Sequence, residues 1–205
     1  TVVVRNWIGW RPNGPSGNRG AGIRVRSRAS GTRIGDALGD PVPGADGNVI
    51  RSNGGPGIAL EEAFATMLGN AIDGNEGLGI DPGPGGGAVA APEWLAEPVA
   101  AAHATLRLPE VGGGAAVVEV FAAERCDDSG SGEGGVLLTR RAVAADAGGE
   151  ARLVLDLAAG ARAAGLDALG LSVAATITGA DGRTSAFSRC QRLLAAGVYL
   201  PVGYR

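Results

Sequence analysis

The chain has 205 residues, 37 of them Gly and 11 Pro; 45% are hydrophobic, 19% charged and only 4% aromatic. Such an apolar content excludes a disordered charged tail, and no apolar stretch reaches the roughly 18–20 residues a membrane helix needs. Glycine has no every-third-residue period, which excludes collagen. The length suits one domain or two small ones.

All 18 basic residues are Arg, and the formal net charge is −3. Residues 1–60 carry eight Arg against Asp36, Asp40 and Asp46, a net +5; residues 61–205 carry ten Arg against 18 acids, a net −8. The two ends are therefore expected to differ in sign, which suits head-to-tail association or an acidic glycan. Neither nucleic acid nor membrane insertion is expected. Two Cys, Cys126 and Cys190, stand far apart without CxxC spacing, which argues against zinc. The chain starts at Thr1 without Met or signal peptide and reads as a mature or truncated product. An exported location, secreted or on the cell surface, is the expectation.

The first 80 residues repeat. Asn48, Ile50, Asn53 and Ile58 return as Asn70, Ile72, Asn75 and Ile80, each 22 residues on. A second match, at an offset of 34, aligns residues 29–35 with residues 63–69. A period near 22 is too short for paired helices and suits one coil of a parallel β-helix, three short strands joined by turns. In residues 23–26 (Ile-Arg-Val-Arg), Ile23 and Val25 point in and the two Arg out. Ile8, Ile34, Ile50, Ile58, Leu60, Ile72 and Ile80 are expected to stack inside. Asn48 over Asn70 and Asn53 over Asn75 are expected to form ladders. Gly and Asn at the corners tolerate positive φ. Residues 36–47 read as a loop bulging from one coil.

After a Gly/Pro/Ala linker at 83–98, whose Trp94 is expected to pack where the two parts meet, the pattern turns to alternating β-branched runs. Strands are predicted at 103–108, 116–123, 137–144, 151–157, 171–177 and 184–193, with residues 158–168 a short helix or a loop. The spacing predicts a small antiparallel β-sandwich over 99–194. The division is thus 1–82 coils, 83–98 linker, 99–194 sandwich and 195–205 a C-terminal strand or tail.

The runs N-x-I-G (6–9), G-N-x-G-x-G-I-x-V (17–25) and G-N-V-I-x-x-N-G-G-x-G-I (47–58) resemble bacterial right-handed parallel β-helix repeat proteins of the pectate-lyase-like group. Many of these are exported surface proteins. The resemblance covers about residues 5–82. It continues in V-E-V-F-A-x-x-x-C-D-x-S-G-x-G-E-G (118–134) and in residues 175–190, which look like the immunoglobulin-like domain that often follows such β-helices. The resemblance implies an all-β fold, a short right-handed parallel β-helix followed by an antiparallel immunoglobulin-like β-sandwich. It also implies a Cys126–Cys190 disulfide, worth about 3–4 kcal/mol for a loop of this length.

Catalytic signals are sparse. The single His, His103, falls in a predicted strand; Ser129 and Ser131 lack a G-x-S-x-G elbow, and a chain without Lys has no phosphate-binding G-x-x-x-x-G-K-[ST] loop. Polysaccharide lyases of the group use clustered carboxylates and a basic residue. Asp73, Glu76 and Asp81, with Glu61 and Glu62 one coil earlier, are the nearest counterpart, and no motif carries over residue by residue. The loop with Asp127, Asp128 and Glu133 alternates oxygen donors with Gly and is the candidate for Ca²⁺, although it lacks the EF-hand pattern and Asp-Ser-Gly also makes ordinary turns. No other cofactor is expected.

A β-helix exposes strand edges at both ends and needs caps. The sandwich can cover the C-terminal end. The first coil, with Val2, Val3, Val4, Trp7 and Ile8, has no cover, so either more coils precede it in the precursor or another subunit stacks there, and the apolar strand around Val198, Tyr199 and Leu200 suits pairing with a sheet edge. The leading expectation is a non-enzymatic extracellular structural protein, a self-associating surface or filament subunit, since head-to-tail contacts do not close. The alternatives are a carbohydrate-binding adhesin using Arg24, Arg26, Arg28 and Trp10, and a degenerate polysaccharide lyase.

Overall fold

A computed structural model describes residues 1–11, 13–84, 89–95, 99–100, 104–109, 114–123, 125–127, 129–144 and 151–194. His103, Asp128, Val198, Tyr199 and Leu200 lie outside these residues.

The first part is three coils of parallel β-helix. The first coil holds β1 (Val2–Val3) and β2 (Trp7–Ile8), a two-stranded hairpin of β3 (Trp10–Arg11) and β4 (Gly14–Pro15), and then β5 (Ile23–Arg26). The second holds β6 (Thr32–Gly35), β7 (Val49–Arg51) and β8 (Ile58–Glu61); the third holds β9 (Ala65–Leu68), β10 (Ala71–Asp73) and β11 (Ile80–Asp81). Strands stack in parallel into three walls: β1, β6 and β9; β2, β7 and β10; β5, β8 and β11. Register places Ile8, Ile50 and Ile72 in one inward column and Ile23, Ile58 and Ile80 in another. Ile34, Ile50, Ile58, Leu60, Ile72 and Ile80 are buried inside with Val25. Each such side chain contributes about 1.5–3 kcal/mol by leaving water.

The first wall departs from the sequence match by one residue. Ile34 pairs with Met67, at an offset of 33 rather than 34. Strand alternation decides this: Ala65 and Met67 are the inward pair that continues Thr32 and Ile34. The 12-residue loop 36–47 lengthens this coil beyond 22.

The corners carry the Asn ladders. Asn6 donates through N and Nδ2 to Asn48 Oδ1 (3.0 and 2.9 Å), and Asn48 donates likewise to Asn70 Oδ1 (3.1 and 2.8 Å). At the next corner Asn18 donates to Asn53 Oδ1, and Asn53 donates to Asn75 Oδ1 through N (3.1 Å) and Nδ2 (2.8 Å). Ser52 (φ 57°) and Gly74 (φ 65°) hold the same left-handed corner in successive coils.

The second part is a β-sandwich. After β12 (Glu93–Trp94) come β13 (Val99–Ala100), β14 (Ala104–Leu108), β15 (Ala115–Ala123), β16 (Val136–Ala144), β17 (Ala151–Leu155), α1 (Leu157–Ala163), β18 (Ser172–Thr178) and β19 (Gln191–Leu194). One sheet is ordered β12-β14-β17, the other β13-β19-β18-β15-β16, and all pairs are antiparallel except β13 with β19. Asp156 caps α1 by accepting from Ala159 N at 2.9 Å, and the helix buries Leu157 and Ala161.

Two sequence expectations change here. Trp94, expected between the two parts, belongs to the sandwich: it pairs with Leu106, joins that core, and its indole N–H donates to Arg189 O at 3.0 Å. Residues 184–190 are not continuous strand: Thr184 bonds to the coil edge at Ala65 and Met67, while Ser185 and Ser188 bond to Ile177 and Ala175 of β18 through both backbone N and Oγ. Only Gln191–Leu194 forms a strand there.

Alternation gives the five-stranded sheet two buried faces. Ala116, Val118, Val120 and Ala122 of β15 face the sandwich core with Val173, Ala175 and Ile177 of β18. Phe121 and Ala174 face the opposite way, into the β-helix core, with Phe187. The sheet itself lies across the end of the coils.

Asn53→Ala is expected to cost about 3 kcal/mol, since it leaves the Asn18 donors without their acceptor and removes one of the two donors to the buried Asn75 Oδ1. Asn18→Ala, at the exposed end of the same ladder, costs under about 1 kcal/mol. Urea unfolding of the two variants checks the contrast, and equal losses contradict it.

Candidate functional site

The two ends of the β-helix differ in their unsatisfied groups. At the C-terminal end, Glu133, which lies between β15 and β16, enters the coil corner. Its Oε1 accepts from Asn75 N (3.2 Å) and Asn75 Nδ2 (3.1 Å), and its Oε2 accepts from Gly74 N (2.7 Å). Asn75 Oδ1 accepts the same two kinds of donor from Asn53, so the carboxylate stands where the next coil's Asn would be. Beside it Ile72 and Gly134 exchange two backbone hydrogen bonds of 2.7 Å in an antiparallel bridge. Gly134 must be Gly there, since a Cβ would come within 2.7 Å of the Phe121 ring.

At the neighbouring corner Glu119 of β15 accepts from Gly69 N at 3.0 and 3.2 Å. Arg140 of β16 donates to Glu119 Oε1 (2.7 and 2.8 Å) and to Asp36 Oδ2 (2.6 Å). Asp36 belongs to the second coil and also accepts from Gly44 N (2.5 Å) and Asp46 N (2.8 Å), which folds loop 36–47 against the corner. Asp36 and Glu119 are both fully buried. A buried pair of carboxylates sharing one guanidinium ties the two parts together, and removing Arg140 leaves both carboxylates buried without their counter-charge.

The third contact is with the wall that ends in β9. Thr184 N donates to Ala65 O (3.1 Å), Thr184 Oγ1 accepts from Met67 N (2.8 Å), and Thr66 Oγ1 donates to Gly182 O (2.7 Å). The Phe121 and Phe187 rings meet edge to face, 5.6 Å apart, over the apolar bore.

Burial pushes the Glu119 carboxyl up from its ordinary value against the pull of Arg140 and Gly69, and Asp36 beside the shared guanidinium adds to the rise. Burial also pushes Glu133 up, opposed by the Asn75 and Gly74 donors. Burial disfavours the charge on Arg140, but Glu119 and Asp36 more than offset it, and its pKa rises. Asp46 moves the other way, held down first by Arg5 and then by Arg33.

Among the described residues the N-terminal end has no such partners. Val3, Ile8 and Ile23 are only partly buried over the core. Among the described residues nothing donates to Asn6 Oδ1 or Asn18 Oδ1, since both ladders run their donors toward the C-terminus. Val2 and Trp7, grouped with this end in the sequence, instead point outward from the walls, in register with Arg33 and Val49.

The remaining candidates separate. Arg24 and Arg26 point outward, as alternation requires, and both pair with Glu61 of the next coil (3.2 and 3.0 Å). Arg28 lies in a short 3₁₀ turn on the surface. Trp10 stacks on Trp7. Cys126 and Cys190 form a disulfide across 64 residues, with Cα atoms 5.5 Å apart, and pin the loop that delivers Glu133. In that loop Asp127 Oδ1 accepts from Ser129 N (2.6 Å) and Ser129 Oγ, beside a cleft of about 460 Å³ that Glu76, Arg125 and Glu133 also line. Glu133 is thus engaged by three coil N–H groups rather than gathered with Asp127. Among the described residues no three His, Cys, Asp or Glu side chains come together to hold a metal ion. No helix among them is long and apolar enough to cross a membrane.

Sequence reasoning missed Glu119, Arg140 and Asp36. The available signal was a single carboxylate inside the apolar run Val117–Ala123, opposite an Arg in the next strand. No family model matches the chain, and no curated protein matches it.

The pH dependence of stability tests the two glutamates. A carboxyl raised above 4.5 in the folded state binds its proton more tightly there than when unfolded. Its stabilising contribution is complete below about pH 4.5 and is lost as pH rises through the raised folded value. The protein is therefore expected to be more stable at pH 5 than at pH 7.5, with a smaller difference in Glu133→Gln. Asp46 acts only lower, since its contribution is lost below its ordinary 3.8. Denaturant midpoints across this range read the slope, and an unchanged slope in Glu133→Gln contradicts the assignment.

Proposed function

We propose that the chain is a non-enzymatic structural protein of an exported assembly, a surface or filament subunit that associates through its open first coil. The observation that carries this reading is the asymmetry of the two ends. One end is closed by Glu119, Glu133, Phe121 and Phe187, and the other leaves Asn acceptors and a partly covered Ile and Val layer. Strand edges left open in this way are templates for another chain. The disulfide fits an oxidising compartment. The likeness to bacterial right-handed β-helix surface proteins ending in an immunoglobulin-like domain points the same way.

The buried ionisable groups support a structural role as well. Asp36, Glu119, Arg140 and Glu133 are occupied in joining the two parts. Because the sandwich occupies the C-terminal coil edge, a head-to-tail contact brings the first coil of one copy against the sandwich side of the next. The basic first 60 residues and the acidic remainder favour that orientation. The apolar alternation in the sequence of residues 197–205 suits pairing with a sheet edge of a neighbouring copy.

Electron microscopy of the non-reduced protein, whole and lacking residues 197–205, tests this. Ordered filaments that disappear on truncation are expected. Separate monomers in both samples overturn the reading.

A further inference from the structure

A second surface lies on the side of the first coil, beside its open end. In the second and third coils the chain passes from the inward Ile to the ladder Asn in three residues, Ile50 to Asn53 and Ile72 to Asn75. In the first coil the same passage, Ile8 to Asn18, takes ten. The ladder is not interrupted, because Asn18 still donates to Asn53 Oδ1 at 2.9 Å. The extra residues form the β3–β4 hairpin, closed at its base by Ser16 N donating to Gly9 O at 3.0 Å. The turn begins at Gly9, whose φ of 83° suits glycine.

The hairpin sets Trp10 against Trp7, with ring centroids 5.0 Å apart and planes inclined by 23°. Trp7 remains 54% exposed. The equivalent wall positions in the next coils are Val49 and Ala71, so the aromatic pair belongs to the first coil alone. Beside the rings lies a cavity of about 230 Å³ lined by Trp7, Ile8, Gly9, Trp10, Ser16 and Asn18. Among the described residues none of the lining is charged. A Ser hydroxyl such as that of Ser16 can both donate and accept, and Asn18 Oδ1 is an acceptor with no donor among the described residues.

We propose that this hairpin-borne tryptophan pair and its cavity bind a neutral saccharide. A pyranose presents a face of C–H bonds with partial positive charge, which the negative face of an indole attracts. Its rim of hydroxyls supplies donors for Asn18 Oδ1 and a partner for Ser16. Apolar walls with a few placed polar groups are the usual construction of a small-molecule site. The described lining offers neutral polar groups and no charge, which suits a neutral sugar, and Arg24 and Arg26 pair with Glu61 instead. The site shares Ile8 and Asn18 with the open end of the coils, whereas Trp7 and Trp10 stand on the outer wall.

The test is titration of the full chain with cellohexaose, xylohexaose and mannohexaose, followed by calorimetry and tryptophan fluorescence, with oligogalacturonate as the charged comparison. At least one neutral hexasaccharide is expected to bind, with affinity unchanged in 0.5 M salt and in Arg24→Ala. Trp7→Ala and Trp10→Ala are each expected to weaken it at least tenfold. Trp7→Phe, which keeps an aromatic face, weakens it less and separates loss of contact from loss of fold, which circular dichroism monitors. No binding by any of the three, binding that survives both alanine variants, or a salt-sensitive preference for oligogalacturonate overturns the proposal. A fall in sedimentation coefficient in Trp7→Ala without any saccharide binding also overturns it, and assigns the pair to a protein contact.

Discussion

Every coil of a parallel β-helix leaves backbone and amide groups that only the next coil satisfies, and the molecule is organised around how the last coil resolves that need. Within the stack the answer is another Asn: Asn48 on Asn70, and Asn53 on Asn75. At the last coil it is a carboxylate from elsewhere in the chain. Glu133 takes the two Asn75 donors and Gly74 N, and Glu119 takes Gly69 N. Leaving such buried donors unpaired costs about 1–3 kcal/mol each, so the sandwich acts as the chemical end of the ladder as well as a steric lid.

That role explains features of the sandwich that its own core does not require. β18 is buried along its whole length and β15 over most of it, because one face packs on the second sheet and the other on the coil bore. A fully buried Glu119 in the middle of an apolar strand is costly in isolation. It is tolerated because Arg140 and the coil corner surround it. Arg140 then draws in Asp36, and Asp36 in turn holds loop 36–47 through Gly44 N and Asp46 N. The disulfide fixes the loop that carries Glu133 into place.

The parts legible in the sequence were those with a period. The recurrence of Ile and Asn at 22 residues gave the inward columns and both ladders, because stacking forces identical positions to meet. The alternation of residues 23–26 gave the outward Arg pair. The first wall was misread by one residue because the loop insertion obscured its offset, and inward alternation rather than residue similarity set the register. The capping carboxylates had no period to reveal them. In sequence, Glu133 sits in an Asp/Ser/Gly loop that reads as turn or cation chemistry, and only its approach to Asn75 distinguishes it. Trp10 was visible as an aromatic, but its stacking depends on a hairpin of two-residue strands, too short to leave an alternation pattern.

The central claim is that coils and sandwich form one cooperative unit through these caps, and native-state hydrogen exchange tests it most directly. The amides of Met67, Gly69, Ile72, Gly74 and Asn75 all donate to the sandwich side. They are predicted to exchange with the same opening free energy as the β15 and β18 core, at the level of global unfolding. Exchange of these five amides at much lower free energy, while both cores stay protected, would contradict the account and make the sandwich a separately docked domain.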